Sequence, residues 1–585
     1  MALNPYVSKL IAAEIAALPI ATAVYAAGAP AIWAVTVGAV LAVCLFVVPI
    51  RDMTLWQWAI QFAHWVRRRH HHLHDVMQPP SDNNREEAPN PDPGSPNDDE
   101  QQPDVVPVDR VRKDRFTDVE INDTSHVGVL VEDHTVVTMV ALWGRPYLPT
   151  LLTANRAETP NTVPLTVIAG EMKRASLGVD VDVVAEGTRS YTADPYGAAF
   201  TAFIGSRPVV GQRSATLVVR LDTHAADTTS GLMWRPNSVT AVIAATQRIV
   251  KALRQAGCRA EILTAAQMRN TTAATVGGPE RLDATHHDRW ATLHQPGHGY
   301  TTSYYLPADH LTPRALEDLW SIDADHTTVV VALRRHDEGV RVGALVRLVT
   351  SRRPLRTTPA TTLRRYTGRQ WDALVRTIPG AARLTTMLPT IELTDALDES
   401  VAVGPSGILI GATRDDRTAG EAGSVLIPFF DPAGPTRIAA NVDDATVRQL
   451  IRRASAAGEL VAVYDDAGRW AMTGASSRIW TTRDHTEQPP RPPTMVFHHI
   501  SSSNPCPGAR SAVAVGPPRP GYSPDIWIDQ YGAKSLQLNT AKFDVPLEPI
   551  TLRGEDAATA PARPPHPALV GSQGTVGITV DLGLV

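Results

Sequence analysis

The chain has 585 residues, 43% apolar and 20% charged, which is enough for two or three packed domains and too apolar for wholesale disorder. A net charge of −5 excludes a generic nucleic-acid binder, whose surface must be basic. Three widely spaced cysteines, Cys44, Cys258 and Cys506, exclude a disulfide scaffold or zinc ribbon and fit a reducing compartment.

Between Leu10 and Ile50 the only charged residue is Glu14. One helix of that length would reach about 60 Å, twice the ~30 Å of a hydrocarbon core. Gly28 and Pro30, in AAGAPA, supply a break. The stretch therefore predicts a two-helix transmembrane hairpin, roughly 10–27 and 31–50, with Pro19 kinking the first span. A cleaved signal peptide ending near Ala26 or Ala27 is the rival, and Glu14 and the second apolar run count against it. Lys9, Arg51, Arg67, Arg68 and Arg69 lie on the side opposite the short loop. Positive residues stay inside, so both termini and the main body are expected in the cytosol, beneath the inner membrane.

Next comes MTLWQWAIQFAHWV, residues 53–66. Leu55, Trp58, Phe62 and Trp65 recur at helical spacing on one face, and Trp56 brings the tryptophans to three. Such a helix beside a span is expected to lie in the lipid interface, with Arg67, Arg68 and Arg69 toward anionic headgroups. A soluble helix covered by a partner would show the same face. In HWVRRRHHHLHD, residues 64–75, the histidines read as a wet extension of that basic edge, with a metal site as the alternative. Residues 1–77 thus form one module. An acidic, proline-rich linker, 78–114, follows, too polar to bury a core.

From 115 onward strands and helices alternate. Strand-like runs are HVGVLVEDHTVVTMVALWG (126–144), GVDVDVVAEG (178–187), SATLVVRLD (214–222), GYTTSYYL (299–306), TTVVVAL (327–333) and VGALVRLV (342–349). The clearest helix is PNSVTAVIAATQRIVKALRQAGC (236–258), with an apolar stripe through Val242, Ile243, Ile249 and Leu253 and a cap at Asn237 or Ser238. Thr264 and Gln267 match a capping box. The alternation predicts an α/β core domain with a substantially parallel sheet over 115–395. Residues 396–484 continue it or form a small second domain, and 485–585 read as a Pro/Gly-rich, partly ordered extension.

No P-loop, GxGxxG, HExxH or GxSxG signature is present. Asp180-Val181-Asp182 is the tempting motif, because paired carboxylates at a strand end hold Mg²⁺ or Mn²⁺ beside a diphosphate in sugar-nucleotide transferases. Strand alternation offers a plainer reading: Val179, Val181 and Val183 point one way, and the two aspartates point to a solvated face. His286-His287-Asp288 and His498-His499 sit in loop-like sequence with no ligands at metal spacing and read as surface histidines. Cys506 has no evident base. No catalytic, cofactor-binding or metal residue is assigned, and no cofactor is expected.

HTVVTMVALWGRPYLPTLL, PLTVIAGEMKRASLGVDVDVVAEG, GQRSATLVVRLD, LRQAGCRAEILTAAQMR and TTSYYLPADHL strongly resemble EccE, a membrane component of mycobacterial type VII (ESX) secretion systems. The resemblance is close over about 126–350. It implies a structural subunit of an inner-membrane complex with EccB, EccC and EccD, in which EccC supplies the ATPase. It also implies a cytosolic domain of glycosyltransferase-like fold without an established activity. The alternative it leaves is a membrane-anchored glycosyltransferase using Asp180 and Asp182 as metal ligands.

Overall fold

A computed structural model describes residues 17–19, 21–28, 30–46, 49–50, 53–67, 70–72, 115–122, 125–132, 134–172, 174, 177–191, 195–278, 285–336, 339–360, 362–381, 388–413, 423–474 and 476–561. The chain divides into two units. The first is Met1–Tyr191, Ile204–Gly407 and Arg417–Pro428, and the second is Thr192–Phe203, Ile408–Asp416 and Phe429–Val585.

The transmembrane hairpin is overturned. Among the described residues no helix is long and apolar enough to cross a membrane. The longest apolar one, α1 (Ala31–Phe46), has 16 residues and reaches about 24 Å, short of a ~30 Å core. The break at the expected turn is present: Gly28 takes φ +93°, and its N–H donates to the carbonyl of Tyr25. Gly38 of α1 lies against Ala17 and Ala21, where a Cβ would meet the Cβ of Ala21 at 2.8 Å. Pro30 follows this turn, whereas Pro19 lies nine residues before Gly28 in helical backbone. Arg51, Arg68 and Arg69 fall outside the described residues, as does the linker stretch 78–114.

The interfacial stretch forms helix α2 (Leu55–Arg67). Trp58, Phe62 and Trp65 gather around Trp290, with ring centroids 5.7, 5.7 and 5.4 Å away. The Trp65 indole N–H donates to the carbonyl of Asp288 at 3.2 Å. This aromatic face is thus used within the unit, while Trp56 on the other side is 48% exposed. Gly368, at φ +74°, allows the close approach, since a Cβ there would sit 2.6 Å from the Trp290 ring. The histidine run becomes a short strand, β1 (His70–His72).

The rest of the first unit is built on one 14-stranded sheet. Its main strands are β2 (Phe116–Asn122), β3 (Ser125–Glu132), β4 (Thr135–Trp143), β5 (Asp180–Thr188), β6 (Gln212–Asp222), β7 (Arg259–Ile262), β8 (Thr285–Arg289), β9 (Thr292–Gln295), β10 (Gly299–Leu306), β11 (His326–Arg335) and β12 (Val340–Thr350). The spatial order is β1-β8-β9-β10-β12-β11-β5-β6-β4-β3-β2, with β7 also on β4. Each of these pairings is antiparallel.

The expected glycosyltransferase-like α/β fold with a parallel sheet is therefore corrected to a sheet-rich, antiparallel unit. The cause is strand insertion. Helix α3 (Leu165–Met172) joins β4 to β5, and helix α4 (Ser238–Gln255) joins β6 to β7. Each crossover links strands that run parallel, but the sheet places another strand between them: β6 between β4 and β5, and β4 between β6 and β7. Local alternation of strand and helix does not report such an insertion. Both faces are also covered, so the strands read as continuous apolar runs, which imitates a buried parallel sheet.

One face packs on α3 and α4, through Ile168, Val181, Val183, Leu217, Val242 and Ile249. Asn237 caps α4 by accepting from the Thr240 N–H, and Thr264 and Gln267 form the expected capping box at the start of α5 (Ala265–Thr275). The opposite face packs on α5 and α6 (Gln370–Arg376), with Met139, Val184, Val218, Met268, Val330 and Ala373 buried together.

The second unit carries the parallel sheet. Its elements are β13 (Ile408–Thr413), β14 (Thr436–Asn441), α7 (Asp444–Ala456), β15 (Val461–Tyr464), β16 (Ile479–Thr482), β17 (Met495–His499), β18 (Ser511–Val515), β19 (Ile526–Gln530), β20 (Leu536–Thr540) and β21 (Asp544–Glu548). The order is β16-β15-β17-β18-β14-β19-β20-β21-β13, parallel from β16 to β19 and antiparallel beyond. Buried Arg453 of α7 ties the unit together by pairing with the buried Glu555, which also accepts from the hydroxyl of Tyr196 at 2.6 Å and the Leu552 N–H at 2.8 Å.

Replacing Trp290 by alanine removes the ring on which α2 is seated. Limited proteolysis should then cut within 55–67 at least about tenfold faster, while far-UV circular dichroism of the sheet is retained.

Candidate functional site

Asp180 and Asp182 lie on β5 where alternation places them, on the same face as Val184. That face is not solvated. Asp182 has 0% exposure, and its register neighbours are Val218 on β6 and Ala332 on β11. An Arg220 guanidinium N–H donates to Asp182 Oδ2, and Arg334 donates to Oδ1 at 2.5 Å. Arg376, at the end of α6, lies 3.7 Å from the same oxygen. Arg220 also donates to the carbonyl of Ala381. Asp180 accepts from the Arg335 backbone N–H at 3.2 Å and faces its guanidinium at 3.5 Å.

The electrostatics follow from this crowd. Burial alone would push the Asp182 carboxyl up, but Arg334, Arg220 and Arg376 outweigh it and hold the group far below the usual carboxylate range. Burial in turn pushes Arg376 down to about 10. A divalent cation entering here would meet three guanidiniums around a single carboxylate, and both carboxylate oxygens are taken. Hard-cation binding needs free oxygen lone pairs and a net negative cage, and this site has neither. Asp182 is a buried charge centre, and the glycosyltransferase reading loses its metal ligands.

A different constellation forms in the second unit. Asp465 and Asp466 directly follow β15, and His499 ends the neighbouring parallel strand β17. His499 Nε2 lies 3.4 Å from Asp465 Oδ1 and 3.5 Å from Asp466 Oδ1. One ligand atom from each residue falls within 4.8 Å of the others. Asp465 is buried and its Oδ2 accepts the Trp470 backbone N–H at 2.6 Å, while Asp466 is exposed. The Trp470 ring packs on His499 with centroids 4.4 Å apart, and its indole N–H donates to Asp444 at 2.8 Å. Arg469 Nη2 also approaches His499 Nε2 at 3.4 Å.

The reading of His499 as a surface histidine without partners is thus corrected. Its partners come from a separate strand, 33 and 34 residues upstream, so no local spacing could show them. His498 beside it is buried, and burial lowers its basicity. His286 is buried in the first unit against Trp371, and His287 stacks near His294 along β8 and β9. Cys506 is buried, with its sulfur 3.2 Å from the Tyr464 hydroxyl. Nothing brings these groups into a nucleophile–base arrangement among the described residues.

Residues 209–306 match the profile of the family described as "Putative type VII ESX secretion system translocon, EccE". The matched segment runs from β6 through α4, β7, α5, β8 and β9 to β10, so it includes Arg220 but neither Asp182 nor the Asp465–His499 cluster. The chain is also 28% identical over 365 residues to the ESX-2 secretion system protein EccE2 of Mycobacterium tuberculosis (strain CDC 1551 / Oshkosh). That alignment covers 60% of this chain and 63% of the relative. Together the two matches show the EccE resemblance read from the sequence.

Asp182→Asn leaves the buried Arg220 and Arg376 guanidiniums and the partly buried Arg334 without their anion and should lower stability by about 3–5 kcal/mol at neutral pH. Because the folded carboxyl is depressed, its contribution is full above the unfolded value near ~4 and is lost as pH falls below it. Urea unfolding should therefore show wild type losing its advantage over Asp182→Asn between about pH 5 and pH 2.

Proposed function

We propose that this chain, an EccE-type protein, is an assembly subunit of a type VII (ESX) secretion membrane complex and supports protein export without catalysing a reaction of its own. The observation that carries the reading is the match over 209–306, joined by the alignment to EccE2. Those residues build core: the apolar face of α4 and five strands of the large sheet. A signature confined to scaffold suits a subunit selected for shape and contact surface.

The acidic pair supports the same reading. Asp182 is neutralised within the fold, so the feature that favoured a sugar-nucleotide transferase is accounted for without substrate or metal. The partners that the family resemblance points to are EccB, EccC and EccD, with EccC supplying ATP hydrolysis. The location that follows is the inner membrane, as part of that complex.

Affinity purification from mild-detergent extracts of native membranes tests this. The chain should bring down EccB, EccC and EccD in near-equal amounts, and deleting it should reduce ESX export. Migration as a lone species, while those three assemble and export normally, would sink the proposal.

A further inference from the structure

We propose that Asp465, Asp466 and His499 hold a divalent transition-metal ion of the zinc class. A histidine donating to a carboxylate as an ion pair closes to about 2.7–2.9 Å. His499 Nε2 instead stands 3.4 and 3.5 Å from two carboxylate oxygens at once. Around a tetrahedral ion with ligand bonds of ~2.0–2.2 Å, neighbouring ligand atoms stand about 3.3–3.6 Å apart. The two His499 separations match the edges of that tetrahedron better than they match a hydrogen bond, and all three ligand atoms lie within 4.8 Å of one another.

The protonation pattern points the same way. Nε2 faces two carboxylate oxygens, which can only accept, and the Arg469 guanidinium, which can only donate. No single tautomer satisfies all three neighbours. A cation between the nitrogen and the oxygens does: it takes the lone pair of a neutral imidazole and the charge of both carboxylates. Arg469, half exposed and also near Asp444, can then swing to solvent. Asp465 is fully buried, one oxygen is fixed by the Trp470 N–H, and the other has no partner nearer than 3.4 Å among the described residues. A buried carboxylate oxygen left so poorly met is costly unless a charge completes it.

Topology is the third and independent observation. The chain leaves β15 for β16 on one side and leaves β17 for β18 on the other. Adjacent parallel strands whose connections diverge make a switch point, and ligands of open parallel sheets bind outside the carboxyl ends there. Asp465, Asp466 and His499 occupy those carboxyl ends. One imidazole and two carboxylates suit zinc better than magnesium, which favours all-oxygen octahedra. The packing of Trp470 on the His499 ring and its backbone bond to Asp465 fix two of the three ligands from outside.

The test uses the full chain and Zn²⁺. The run at His70, His71, His72 and His74 presents imidazoles that would compete for added zinc, so all four are replaced by alanine to give the reference protein. Calorimetry should find one Zn²⁺ per chain, accompanied by a change in tryptophan fluorescence from Trp470. Losing an outer partner of a ligand weakens binding roughly 10–100-fold, so His499→Ala or Asp466→Asn should weaken it about a hundredfold or more. Both variants should melt with the reference protein in EDTA. If His499→Ala fails to fold, Asp466→Asn, at an exposed side chain, decides alone. Unchanged zinc affinity in Asp466→Asn, or binding of Mg²⁺ without Zn²⁺, overturns the proposal. Because purified protein is used, the outcome is independent of the secretion reading.

Discussion

The ion cluster on Asp182 is the constraint around which the first unit is arranged. A carboxylate with no solvent access stands on the middle strand of a three-strand block, with Arg220 on one neighbour, Arg334 on the other and Arg376 on the covering helix. Breaking such a set is far more costly than replacing it whole by apolar groups, because the survivors stay buried and unpaired. The cluster therefore acts as a register key. A two-residue slip of β5 against β6 or β11 would separate the charges, and a one-residue slip would turn them into the purely apolar face.

That arrangement divides the labour between the two faces. The side under α3 and α4 is filled by valine, leucine and isoleucine and supplies most of the hydrophobic drive. The side under α5 and α6 mixes apolar contacts with the Asp182 set and with Arg347, which is buried and bonds to Thr328, Thr377 and the carbonyl of Thr275. A core of this kind specifies one arrangement of strands and leaves no open carboxylate for substrate chemistry. The proposed assembly role is consistent with that, since it asks the unit for a persistent shape. In the second unit the polar groups gather at the carboxyl edge of a parallel sheet, where side chains from adjacent strands converge without being fully spent on one another.

Local order was legible in the sequence wherever neighbours in the chain decide it. The amphipathic stripe of α4, its Asn237 cap and the Thr264–Gln267 box all depend on residues within four positions. Alternation likewise put Asp180 and Asp182 on one face of β5. What covers that face was not legible, because Arg220, Arg334 and Arg376 arrive from 38, 152 and 194 residues downstream. The same limit hid the pairing of His499 with Asp465 and Asp466. Sheet direction failed for a related reason: the inserted strands that make the first sheet antiparallel lie outside the strand–helix–strand windows from which direction was inferred. Apolar content alone overstated the N-terminal segment: among the described residues no helix, the 16-residue Ala31–Phe46 included, is long and apolar enough to cross a membrane.

The central claim is that the acidic pair on β5 is a structural charge centre and not a ligand site. A double-mutant cycle between Asp182→Leu and Arg220→Met, read by equilibrium unfolding, tests it most directly. The account predicts strong coupling: each single replacement strands buried charge, and the double variant recovers a large part of the loss, with an interaction energy of about 1–3 kcal/mol. Additive losses would contradict it, because Asp182 and Arg220 would then contribute independently and the carboxylate would be free for another partner.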